Sequence, residues 1–187
     1  MIERLLPGLA ALQNVHPMFV HFPIAFFLGA LVMEGGAVFR DEKFHIVATW
    51  MIYLGTLAAI ITLSTGFIAA DTIAAADPGG HSSPGHEYIH LHRNWMATLT
   101  IFSGALSLYL FRINRKGKWA SQKFGLLLGL LILSSMITLG ADRGARLVYE
   151  FGVGVNPKAF EKTPAAPKTG HDHPETFLKN KKEFSLI

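Results

Sequence analysis

The sequence predicts an all-α integral membrane protein. The predicted fold is a bundle of four spanning helices with both termini on the outer side and an extended C-terminal tail. Three observations lead there. Half of the 187 residues are hydrophobic and only 16% are charged, against about 25% in soluble domains. The charges gather between four apolar runs, each close to the roughly 20 residues that a helical span requires. Those runs also lack the polar stripe that a water-facing helix carries.

The elements follow in order. Residues 1–15, with "MIERLLPGLAALQN", lack the cationic start and small-residue cleavage site of a removable signal peptide; they read as a short interfacial segment. The first span, 16–39, is entered through "HPMFVHFPIAFF". The second, 46–72, holds no charge from 46 to 70. The third, 88–111, follows the loop "DPGGHSSPGHEYIHLHRNW", and the fourth, 120–141, contains "FGLLLGLLILSSMITLGA". Gly125 and Gly129 there form a small-residue face suited to close helix contact. Residues 16–155 thus make one transmembrane domain. The tail, 156–187, is rich in proline and lysine, has no periodicity and is a poor candidate for folding alone. It is expected to run extended over partner subunits.

The net charge of +4 implies no nucleic-acid partner, because topology accounts for the cations. Arg40 and Lys43 lie between the first two spans, and Arg112, Arg115, Lys116, Lys118 and Lys123 between the last two. The opposite side holds Arg4, Arg93, Arg143 and Arg146. The positive-inside rule puts the two cationic loops in the cytoplasm. Glu34 lies near that end and reads as a residue that snorkels or pairs with Arg40.

The histidines then fall on the other side. His16 and His21 open the first span; His81, His86, His90 and His92 precede or enter the third; His171 and His173 lie in the tail; only His45 is at the cytoplasmic end. One alone would be an ordinary interfacial residue. As a group they mark a site, since ionisable residues at membrane depth face bundle interiors and imidazole is the commonest metal ligand. The chain has no cysteine, which excludes thiolate sites and covalent C-x-x-C-H haem attachment. One histidine from each of two helices suits b-type haem. The expected axial pair is His21 and His90, with His16 and His92 next. Arg93, Arg143 and Arg146 are the candidates for the haem propionates. Bacteriochlorophyll, or a non-haem metal ion recruiting Asp77 or Glu87, stays open. His16 and His21 are five residues apart, about 140° around a regular helix, so Pro17 and Pro23 matter. If the helix starts at Pro17, Pro23 frees the carbonyl of Phe19.

Two segments also carry a resemblance. "HPMFVHFPIAFFLGALV" resembles the H-P-x-x-V-H-F-P-I-A opening of a bacterial family of four-helix membrane proteins of unknown function. "RLVYEFGVGV", at 146–155, resembles that family's closing L-V-Y-x-x-G-V-G-V. The family is similar in plan to small b-type cytochromes and often stands beside c-type cytochrome domains. The resemblance therefore implies electron transfer in the bacterial inner membrane, with lipid, other complex subunits and a c-type cytochrome as partners. By position it carries over His16, His21 and, through H-x-x-x-N, His90 with Asn94. Many relatives have a histidine where this chain has Phe151. The expected role is thus a non-catalytic electron-transfer subunit of a respiratory or photosynthetic complex. The rivals are a cofactor-free structural subunit and a metal-dependent membrane enzyme or carrier.

Overall fold

The computed structural model describes residues 15–76 and 84–155. The interfacial segment, His81, Asp77 and the tail with His171 and His173 lie outside the described residues. Among those described there is no strand. The helices are α1 (His16–Phe19), α2 (His21–Phe39), α3 (Phe44–Ala76), α4 (Pro84–Arg115) and α5 (Trp119–Tyr149). Four stretches, His16–Phe39, Phe44–Thr72, Gly85–Arg115 and Trp119–Tyr149, are long and apolar enough to cross a membrane.

The last three helices outrun their apolar segments at one or both ends. Hydropathy reports the thickness of hydrocarbon, whereas the backbone hydrogen bonds that make a helix continue into the polar layer. Hence α4 starts at Pro84 rather than 88, a residue tolerated where its missing N–H has no partner anyway. Likewise α5 continues through "DRGARLVY" to Tyr149.

Two tight connections join neighbours. Arg40 and Asp41 N–H groups both donate to Gly36 O, at 2.9 and 3.1 Å. The Asp41 carboxylate then accepts from Lys43 N at 2.9 Å and starts α3. At the end of α4, Gly117 takes φ +61°, while Gly117 N donates to Asn114 O and Lys118 N to Ile113 O. That double closure needs a residue at ease in the left-handed region, and glycine is the usual choice.

Such short links make sequential helices antiparallel. Each of α2 and α4 packs against both α3 and α5, so the four form a closed ring of neighbours. Phe27, Ile52, Leu99, Leu110, Leu126, Leu130, Leu133 and Ile137 fill its middle. A Cβ on Gly55 would sit 2.7 Å from the Phe27 ring; the bare backbone is what lets α3 close on α2. Outward faces are as apolar as the core, with Ile101 75% and Ile68 66% exposed. Lipid solvates such faces, so packing and interhelical hydrogen bonds, rather than water exclusion, hold the ring. Thr56 Oγ1 and Ser107 Oγ supply one such bond at 2.8 Å between α3 and α4.

Candidate functional site

A cavity of about 650 Å³ opens between the helices at the histidine end. His16, His21 and His92 line it, together with Arg93 and a run of small residues on α3 and α5 that includes Gly66, Gly140 and Gly144. The volume lies within the ordinary range for small-molecule sites, about 300–1,000 Å³.

The local sequence explains how His16 arrives there. With Pro23 in the first turn of α2, the Phe19 carbonyl has lost its helical donor, and the Thr62 hydroxyl donates to it at 3.1 Å. That bond ties α1 to α3. The Thr62 carbonyl in turn lies 3.1 Å from His16 Nδ1, with Thr65 Oγ1 at 3.2 Å. A carbonyl only accepts, so Nδ1 carries the proton, and the lone pair of the neutral ring is on Nε2. This is the arrangement in which a backbone acceptor fixes the tautomer of a ligating histidine.

Two glycines back the imidazoles. A Cβ on Gly66 would come 3.0 Å from His16 Cε1, and one on Gly144 would come 3.2 Å from His92 Cε1. His92 Nδ1 is buried without a hydrogen-bond partner. Leaving such a group unmade costs roughly 1–3 kcal/mol, so the cavity wall holds a polar atom able to take a hydrogen bond or a ligand.

The pair expected from sequence, His21 with His90, is not the pair that the helices bring together. His21 lines the cavity at its exposed rim. His90 is not among the lining residues. Its Nδ1 accepts from the Arg93 guanidinium at 2.7 Å, and its Nε2 meets His86 Nε2 at 2.9 Å. Residues two apart lie about 200° around a helix, so turning His92 inward turns His90 away. Asn94 is exposed and outside the lining.

Of the three arginines, Arg93 alone reaches the cavity; it also lies over the Phe67 ring at 5.4 Å. Arg143 stacks on Trp95 at 4.1 Å and donates to Leu139 O at 3.0 Å. Arg146 is held by Glu150, with one bond of 3.0 Å. Among the described residues, no three His, Asp or Glu side chains gather where one metal ion could be held. Phe151 stacks on Tyr88 at 4.7 Å.

The opposite end carries a cluster that the sequence reading missed. Glu34 is fully buried and does not pair with Arg40. It accepts from His45 Nδ1 and from Trp119 Nε1, both at 2.7 Å. His45 Nε2 lies 2.9 Å from Asn114 Oδ1, and Asn114 Nδ2 donates to Thr49 Oγ1 at 3.3 Å. The network thereby joins α2, α3, α4 and α5. The one available signal was depth, since Glu34 and His45 flank the same connection at the same end.

Residues 12–157 match the model of the family described as "Predicted membrane protein (DUF2231)". The chain belongs to this family. No curated protein matches it, and no solved structure does. For a DUF2231 protein the family description and the four apolar helices agree on a membrane protein that contacts lipid. The chemistry rests on the cavity itself.

Proposed function

We propose that this protein is an integral membrane electron-transfer subunit that holds b-type haem in the histidine-lined cavity, with His16 and His92 as axial ligands. The observation that carries the reading is the meeting of two imidazoles from different helices in one cavity, each backed by a glycine and one with a buried nitrogen lacking a partner. The donor set fits the group. Neutral imidazoles ligate haem iron, and the bare backbones of Gly66 and Gly144 let the His16 and His92 rings seat against α3 and α5, beside the cavity in which a macrocycle would lie.

When bound, haem supplies a one-electron couple at its iron. The chain's own residues do the rest. Thr62 fixes the His16 tautomer, and Arg93, which also donates to His90, would supply the cation for a propionate, with no carboxylate among the cavity-lining residues to compete for it. Small residues on α3 and α5 leave room, while Leu99 and Ile137 close the cavity toward the core. Ligation by both His16 and His92 would leave no open position for a substrate, which favours electron transfer over catalysis. The cationic connections at the far end support placing the histidine end on the periplasmic side of a bacterial inner membrane. There a c-type cytochrome or other complex subunits would exchange electrons with it.

A reduced-minus-oxidised visible spectrum of the purified protein tests this. The expected result is a low-spin b-type spectrum at one haem per chain. A folded, monodisperse protein from haem-replete cells with no such band would overturn the reading.

A further inference from the structure

The connection end holds a second cavity, of about 460 Å³, lined by Glu42, His45, Thr49, Trp50, Asn114 and Trp119 among others. Its rim includes the exposed Glu42 and Gly117. His45 stands between that cavity and Glu34, which is sealed behind it at 0% exposure. We propose that the Glu34–His45 pair is a proton-binding site that exchanges with the aqueous phase at the connection end, and that the Asn114 amide turns over as the proton comes and goes.

Hydrogen-bond direction is the argument. With Asn114 Oδ1 toward His45, the imidazole donates at both nitrogens, to Glu34 Oε2 and to Asn114 Oδ1. Such a ring is an imidazolium. The Asn114 amide is nearly isosteric with its turned-over form. After the turn, Asn114 Nδ2 donates to the lone pair of a neutral His45 Nε2, and the Thr49 hydroxyl donates to Asn114 Oδ1. Trp119 N–H and His45 Nδ1–H still donate to Glu34. Both states keep these four hydrogen bonds, with Thr49 Oγ1 a further 3.5 Å neighbour of His45 Nε2, and differ by one proton, released from His45 Nε2 to the aqueous phase. A buried polar network ordinarily has one satisfied arrangement and pays heavily for any other; this one has two.

The groups facing the pair from the packed elements are few. Asn114 on α4 and Trp119 on α5 are neutral, Glu42 lies across the cavity, and the Lys123 ammonium lies 5.9 Å from the Trp119 ring centroid. Toward the bundle centre the core residues Ile113, Leu110 and Leu126 are apolar. The site therefore stores a proton from one side and does not conduct it across. It stands apart from the cavity at the histidine end and requires no haem.

The test is nitrogen NMR of histidine-labelled protein in lipid nanodiscs, with His45→Gln assigning the signal, over about pH 5 to 9, bracketing the free-histidine value. The expected result is reversible titration of His45 without loss of helix. N114D, which offers only acceptors, should raise its proton affinity at least about tenfold, one pH unit. N114L, which offers none, should lower it by a similar factor. Carboxyl infrared bands of wild type against E34Q give a second readout if a variant fails to fold, with a shift expected across the same pH range. A His45 signal fixed in one charge state over the whole range, or displaced the same way by both Asn114 variants, would overturn the proposal.

Discussion

The two ends of the bundle use the same residue types to opposite effect. At the connection end an acid, a histidine, an asparagine and an indole pair completely, each helix contributing one partner. At the histidine end three imidazoles surround open space, and one nitrogen is left buried without a partner. Completed networks hold helices together in a medium that offers no other polar partner. An incomplete one leaves a polar atom available to a ligand.

That contrast predicts unequal responses to the same substitution. His45→Ala removes the main donor to a sealed carboxylate and should cost roughly 3 kcal/mol. His92→Ala removes one unpaired nitrogen along with a single contact to the Gly140 backbone, and the apoprotein should lose about 1 kcal/mol. Unfolding of both variants in detergent, without haem, checks the difference; equal losses would break the comparison.

The glycines sharpen it next. Leucine at Gly66 or Gly144 would run into the His16 or His92 ring and displace it, and haem content should fall at least about tenfold, equivalent to about 1.4 kcal/mol of binding. Gly104→Ala is the control, since nothing lies within 4 Å of its added Cβ. Pigment absorbance per protein measures all three.

Arginine variants form a smaller series. Arg93→Gln should weaken haem retention several-fold, while Arg143→Gln and Arg146→Gln, whose guanidinium groups are engaged on Trp95 and Glu150, should leave it unchanged. Competition for bound haem by apomyoglobin would rank them.

The smallest effect belongs to Glu150. The Arg146 hydrogen bond holds its carboxyl below the usual carboxylate range. A depressed value means that any stability it adds is present above the ordinary carboxylate pKa and lost as pH falls through the lowered one. Both side chains are about half exposed, so screening should remove most of the gain. Glu150→Gln should melt with the wild type at neutral and at acid pH.

The sequence showed what hydropathy and spacing can show. Four runs of apolar residues are unmistakable because each spans the hydrocarbon on its own. The histidine end was visible for the same reason, as charge and imidazole sort by depth. The choice between His90 and His92 was not, because spacing says that they oppose each other but not which face turns inward. Packing decides that, through Gly144 beside His92. The Glu34 network stayed hidden because its partners lie 11 and 85 residues away, and each alone reads as an interfacial residue. Pro23 was legible on the condition that the helix starts at Pro17. It was expected to free the Phe19 carbonyl, and Thr62 takes that carbonyl at 3.1 Å.

The most direct test of the central claim is haem content across three alanine variants, read as the b-type band per folded chain. His16→Ala and His92→Ala should each abolish the low-spin spectrum, while His90→Ala, whose ring bonds Arg93 and His86 outside the cavity lining, should keep most of it. Loss of the spectrum in His90→Ala with its retention in His16→Ala or His92→Ala would contradict the account.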